Sequence, residues 1–305
     1  MNKPIIALNG GLGNQLFQWF FAHTVSADQS FRVDPLFREN EISLGVNGPN
    51  LEDLISRCPH IEKNSAGLVK EATPKKLLHL ANHLWHRLHI LHPLLTWLGY
   101  YRENPNSSVP QSPYIPIPMR YAYGYFQNGK VIEQMLDQVK VELVPIVAAN
   151  LQVLRDKFEL DTPYTVIHVR RYPTKGFKLS PIQFCNLDSS FFVDWAEKNS
   201  GEKIILLAEF EDQVVDIVQT LSPKLVLDSS KTSAWDVLAI MAGAEKCLGS
   251  NSSLSWWGAR LCSIFGGETW LPANWSYWNN VDTKAFHFPG CKLTNSKWDI
   301  SGFEE

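Results

Sequence analysis

Apolar and polar residues alternate along this chain in blocks that change period. Ile5 to Leu8 is a short apolar run that ends on glycines. From Asn14 to Ala27 the apolar residues Leu16, Phe17, Phe20, Phe21 and Val25 fall at helical spacing, and Phe31 to Asp34 returns to strand character. This reads as a β-α-β opening. The rhythm resumes at Tyr164–Val169, a β-rich run with the look of a buried strand. Strands are expected at 203–208, 225–227 and 246–249. Helices are expected at 191–198, 212–221, 234–244 and 252–262. Strands alternating with helices predict a mainly parallel sheet. A helical stretch over 130–158 is expected to be kinked or split by Pro145 and to connect the two halves. Residues 35–120 carry less pattern. An amphipathic helix is expected at 75–91, and the prolines between 105 and 118 predict an extended loop.

Composition narrows the class. The chain has 305 residues, 45% of them hydrophobic and 19% charged, enough for a sizeable core and for two domains. The expected division is 1–150 and 151–305, two Rossmann-like α/β domains facing a central cleft. Formal net charge is -3, so no global basic field favours nucleic acid. Five cysteines without CxxC spacing argue against a zinc knuckle or a disulfide framework and fit a reducing compartment. The apolar run before Asn9 is too short for a signal peptide, and no run of about 18 apolar residues predicts a membrane-spanning helix. These features point to a cytoplasmic protein.

Three segments carry candidate chemistry. Asn9-Gly10-Gly11-Leu12-Gly13-Asn14-Gln15 joins a strand to a helix, where glycines allow close backbone approach and the helix N-terminus offers N–H groups to an anion. It is neither a G-x-G-x-x-G nor a Walker loop. His168-Val169-Arg170-Arg171 ends a strand, and guanidinium forks suit a diphosphate. Strand alternation sends the two arginine side chains different ways. Gly249-Ser250-Asn251-Ser252-Ser253-Leu254-Ser255-Trp256-Trp257-Gly258 opens another helix with more hydroxyls than a cap needs. No D-x-D triplet or carboxylate cluster suggests a metal. Arginine and helix dipoles are therefore the expected charge stabilisers.

With these segments quoted, the chain resembles the α-1,2-fucosyltransferases of glycosyltransferase family eleven. The match runs from residue 4 to about 278 and includes Gly124-Tyr125-Phe126-Gln127 and an Asp at position 34. The sequence departs from the family at Tyr172-Pro173 and at Leu207-Ala208-Glu209-Phe210, and the family's Arg-x-Tyr-x-Leu stretch is not evident near 40–47. The resemblance implies a GT-B-like, metal-independent, inverting enzyme that moves L-fucose from GDP-fucose to a galactoside hydroxyl. It needs no cofactor beyond the donor substrate. Arg170 and Arg171 are the expected catalytic residues, with Asp34 the candidate base and Glu39 and Glu41 weaker ones. Gly10, Gly11, Gly13, Asn14, Gln15, His168, Asn251, Ser252 and Ser253 are expected on the donor, and Gln127 on the acceptor side. Two alternatives stay open: a transferase of the same fold using another nucleotide sugar, and a non-catalytic sugar- or nucleotide-binding module. The basic face of 75–91, with Lys75, Lys76, His79, His83, His86 and Arg87, is read either as a solvated face or as a contact with the inner membrane or a lipid-linked glycan. The family's Golgi members carry an anchor, and its absence suggests a bacterial protein.

Overall fold

The computed structural model describes residues 4–26, 31–35, 100–103, 121–171, 186–201, 203–275 and 286–299. The chain divides into two compact units, Met1–Glu142 and Leu143–Glu305. Both are α/β, and both are built on a parallel sheet.

Unit 1 opens with β1 (Ile5–Leu8), α1 (Leu12–Val25) and β2 (Arg32–Pro35), the expected β-α-β unit. Strands β3 (Tyr100–Arg102) and β4 (Tyr121–Tyr123) complete a sheet of order β2-β1-β4-β3. All three pairings are parallel, and Ile5 lies opposite both Arg32 and Tyr121. Eleven of the fourteen residues of α1 are buried, so it is a core helix rather than an amphipathic one. Trp19 packs edge-on against Phe31 at 5.2 Å, and Phe21 stacks on Phe126. Each such fully buried ring contributes roughly 1.5–3 kcal/mol.

The stretch after β4 is three helices rather than two. Helix α2 (Gly129–Gln134) is capped by Asn128, whose side chain accepts from the N–H groups of Lys130 and Val131. A break at Met135 separates it from α3 (Leu136–Glu142). Pro145 sits in the first turn of α4 (Val144–Phe158), where its missing N–H costs nothing, so the chain breaks just before it. The last turn of unit 1 is held from within. Glu142 accepts hydrogen bonds from Trp19 Nε1 at 2.8 Å and from Gln138, and its Oε2 lies 3.2 Å from His23 Nε2.

Unit 2 carries β5 (Thr165–Val169), β6 (Asn186–Leu187), α5 (Ser189–Asn199), β7 (Ile204–Ala208), a 3-10 turn (Glu211–Val214), α6 (Val215–Leu221) and β8 (Leu225–Leu227). It continues with α7 (Ala234–Ala242), β9 (Lys246–Leu248), α8 (Ser253–Ile264), β10 (Glu268–Pro272), β11 (Lys292–Thr294) and β12 (Trp298–Asp299). Six strands form a parallel sheet of order β11-β10-β9-β5-β7-β8, and β6 pairs antiparallel with β12. Every residue of β5 and β7 is buried, as expected for strands covered on both faces. One side of the sheet packs on Phe191, Phe192, Trp195 and Ile217. Helix α7, closed at its start by a Ser233/Asp236 capping box, packs between α4 and α8. A side chain at Gly258 would strike Met241, so that position holds the two helices together. No helix among the described residues is long and apolar enough to cross a membrane. The expected helix at 75–91, the proline-rich loop, Glu39, Glu41 and Tyr172-Pro173 lie outside the described residues.

Candidate functional site

In unit 2 the sheet changes direction between β5 and β9. From β5 the chain runs to β7 and then β8 on one side; from β9 it runs to β10 and β11 on the other. Adjacent parallel strands whose connections diverge open a crevice beyond their C-terminal ends. Two of the three singled-out segments lie there. His168 to Arg171 ends β5, and Gly249 to Ser253 joins β9 to α8.

Hydrogen bonds tie the two segments together. His168 Nδ1 lies 2.6 Å from Ser255 Oγ, Ser255 Oγ accepts from the Ser250 N–H at 3.0 Å, and Ser250 Oγ accepts from the Arg170 N–H at 3.1 Å. Ser250 and Ser255 are fully buried. Burial, with a smaller contribution from Arg170, pushes the His168 imidazole down to about 3, so it is neutral in the fold. His168, expected on the donor, is thus placed as an internal tie that fixes the loop between β9 and α8.

The hydroxyl run divides into two jobs that sequence alone could not separate. Ser250 and Ser255 point inward. Ser252 is the N-cap residue of α8, but its side chain makes no capping hydrogen bond, and Ser253 is the first helical residue. Asn251 is buried in the turn before them. The first turn of α8 carries no acidic residue, so its N–H groups retain their attraction for an anion.

The two arginines part as strand alternation requires. Arg170 Nη1 pairs with Glu209 Oε2, just beyond β7, and the Arg170 side chain stays 28% exposed. Burial raises the Glu209 carboxyl above the usual range, an effect that Arg170 partly offsets. Arg171 points elsewhere. Its Nη1 donates to the Gln213 carbonyl at 2.5 Å, and its Nη2 donates to Ser189 and, at 3.2 Å, to Asp216 Oδ2. It therefore clamps the end of β5 to the starts of α5 and α6. Its charge, with the Ser189 hydroxyl, helps hold Asp216 below the usual carboxylate range despite partial burial.

In unit 1 the glycine loop and the Gly124–Gln127 segment meet at the C-terminal ends of β1 and β4. Gln18 donates to Asn9 Oδ1 and to the Gly124 carbonyl, both at 2.8 Å, and accepts from the Asn9 N–H at 3.0 Å. Gln127 Nε2 donates to Asn14 Oδ1 at 2.5 Å. Gly10 has φ +73°, a left-handed conformation that glycine adopts without strain. Gly11 is the N-cap of α1 and has open space where a side chain would stand. Helix α1 begins two residues earlier than expected, so Gly13 is buried inside it. Gln15 is fully buried and donates to the Gly10 carbonyl at 2.7 Å. Of the five expected donor contacts in this loop, Gly10, Gly11 and Asn14 stand at the strand ends, while Gly13 and Gln15 build the loop from behind. Asp34 is the third residue of β2, opposite Ala7.

Glu103 was not expected as a site residue. It lies just past β3, its carboxylate accepts the N–H groups of Tyr125 and Phe126 at 2.6 and 2.9 Å, and burial raises it above the usual range. Its stretch of sequence carries no strand or motif signal that could have drawn attention to it. Among the described residues no group of three or more His, Cys, Asp or Glu could hold a metal ion.

No protein-family model and no curated protein matches the sequence. Solved structures that resemble the chain include the fucosyltransferase NodZ from Bradyrhizobium, at 12% identity over 86% of this chain and 93% of that one, with a TM-score of 0.46. POFUT1 in complex with GDP-fucose is 12% identical over 85% of this chain and 94% of that one, with a TM-score of 0.42. A family 9 glycosyl transferase from Veillonella parvula is 12% identical over 96% of this chain and 87% of that one, with a TM-score of 0.45. At such identities and scores these likenesses add no weight to a functional assignment, which stands on the chain's own residues.

Proposed function

We propose that the chain is a GT-B-like glycosyltransferase that moves L-fucose from GDP-fucose to a hydroxyl of a galactoside, with inversion and an α-1,2 linkage. The observation that carries this reading is the β5/β9 switch point, where the Arg170 N–H donates to Ser250 in the loop leading into α8 and the first turn of α8 has no side-chain cap. The finer points, fucose and the linkage, rest on the resemblance of residues 10–18, 124–127, 168–171 and 251–259 to family eleven.

In this reading unit 2 holds the GDP moiety. The acceptor oxygen attacks the anomeric carbon as its bond to the β-phosphate oxygen breaks, and the electron pair leaves with GDP. Arg170, with the N–H groups and hydroxyls of Ser252 and Ser253, takes up the charge that develops on the diphosphate, so no metal is needed. His168, Ser250 and Ser255 keep that loop in place, and Arg171 keeps the end of β5 in place. Unit 1 holds the acceptor, with Gln127 on that side, and the acceptor proton passes to a carboxylate, for which Asp34 is the proposed base.

Incubation with GDP-fucose and a panel of β-galactosides, read by mass spectrometry, tests the proposal. A fucosylated product with stoichiometric GDP is the expected result. Product from another nucleotide sugar would move the chain to a sister activity, and GDP binding without turnover would make it a binding module.

A further inference from the structure

The turn that follows β4 is held in an uncommon shape by more contacts than a connection requires. Phe126 has φ +51°, a left-handed conformation that costs a side-chain-bearing residue about 1–2 kcal/mol. Its ring lies buried and parallel to Phe21, with centroids 3.9 Å apart. The Glu103 carboxylate takes the N–H groups of both Tyr125 and Phe126. Gly124 has no room for a side chain against Glu103, and its carbonyl is taken by Gln18. Gln127 is joined to Asn14, and Asn128 caps the next helix. Gly124, Tyr125, Phe126 and Asn128 are thus fixed through their backbones, and Gln127 through its side chain.

That support fixes where one large ring goes. Phe126 turns into the core, while Tyr125, its neighbour, is 49% exposed. Burying both rings would have been the cheaper use of two aromatics. Tyr125 stands at the C-terminal end of β4, beside a strand end that carries the Gly10–Gly11 loop and the Asn14–Gln127 carboxamide pair. An exposed aromatic ring on a fixed backbone, at the same sheet end as a carboxamide pair and a glycine loop, matches the chemistry of a pyranose. The sugar's C–H face packs on the ring, and its hydroxyls both donate to and accept from amides.

We propose that Tyr125 is the stacking platform of a pyranose subsite in unit 1, with Asn14 and Gln127 as its polar partners and Glu103 as the residue that positions the platform. This deepens the transferase reading and rests on it for the identification of the pyranose as the acceptor. The sugar ring, not the nucleotide, is what Tyr125 selects.

Saturation-transfer NMR with methyl β-galactoside tests it, alongside calorimetric titration of GDP, on wild type and on Tyr125→Ala, Tyr125→Leu and Tyr125→Phe. The expected result is that Ala and Leu weaken galactoside binding about tenfold or more, the equivalent of ~1.4 kcal/mol. Phe should bind as wild type does, and GDP affinity should be unchanged in all three. Because the side chain is exposed, the variants should fold, and melting curves check this. Galactoside binding by Tyr125→Ala equal to wild type overturns the proposal, and so does absence of galactoside binding by wild type. If wild type binds galactoside through Tyr125 but never binds GDP, the platform stands and the transferase reading falls. Glu103→Ala should weaken galactoside binding too, whereas Glu103→Gln, which keeps an oxygen for the two N–H groups, should restore it. Equal loss in both Glu103 variants would remove Glu103 from its positioning role.

Discussion

His168 Nδ1 lies 2.6 Å from Ser255 Oγ and so joins the end of β5 to the first turn of α8. The imidazole makes this contact in its neutral form. Its folded-state value is depressed to about 3 by burial and, to a lesser degree, by Arg170. At pH values below the ordinary histidine range the unfolded chain binds a proton that the fold refuses. Stability is therefore complete above about pH 6.5 and is lost as pH falls towards 3, by at most ~1.4 kcal/mol per pH unit. Denaturant midpoints measured between about pH 7 and pH 4 should fall, and His168→Gln should flatten that slope. A slope that the substitution leaves unchanged would assign the pH dependence to other groups.

Arg170 and Arg171 should fail in different ways. Arg170→Ala removes a charge-assisted donor at the end of β5 and should lower turnover about 10²-fold or more, ~3 kcal/mol, with a loss of melting temperature, from the unpaired Glu209, too small to account for it. Arg171→Ala breaks three ties, to α5, to the 3-10 turn and to α6, and should cost about 1–3 kcal/mol of stability, with activity falling as a consequence. Melting curves beside initial rates separate the two. A stable but inactive Arg171→Ala would put Arg171 on the phosphates instead.

Ser252→Ala and Ser253→Ala should weaken GDP binding and leave the melting temperature nearly unchanged. An N-cap hydroxyl normally contributes about 1 kcal/mol, but the Ser252 side chain makes no capping bond. Ser233→Ala, which breaks the capping box of α7, is the control and should lower the melting temperature. If the Ser252 variant melts like the Ser233 variant and binds GDP normally, the hydroxyl is a cap and nothing more.

Chelation should leave the transferase active. Arg170 and the start of α8 already supply positive charge, and divalent cations need oxygen ligands in numbers. Initial rates with and without EDTA decide the matter. Full loss, restored by one divalent ion, would place the diphosphate in a different site.

Strands with long apolar runs were legible from sequence. Val166 to Val169 and Ile204 to Leu207 could only be buried on both faces, and each stands where the pattern put it. The glycine loop, the arginine pair and the hydroxyl run were legible as segments, because strand-to-helix turns fix where ligands are met. Individual side chains were not. Gln15 and Asn14 are neighbours, yet one is buried behind the loop and the other reaches Gln127. That choice depends on where α1 begins, and it begins two residues early. Strand β10 escaped notice because Gly267 before it and Pro272 at its end read as loop punctuation around only two apolar positions, Trp270 and Leu271. Strand β3 and Glu103 escaped because their pairing partner, β4, lies about twenty residues away with no period in between to link them.

The pairing of β1 with β4 also sets a timetable for synthesis. Ile5 can meet Arg32 as soon as α1 has formed, but it meets Tyr121 only when about ninety further residues have been made. At roughly 5–20 residues per second, the edge of β1 that β4 will cover waits on the order of 4–18 s longer on the ribosome. During that interval a buried strand of unit 1 offers its unpaired N–H and C=O groups to any other chain. Nascent fragments that stop before residue 121 should therefore depend on chaperones and aggregate, whereas those that reach beyond 142 contain the whole of unit 1 and escape that hazard.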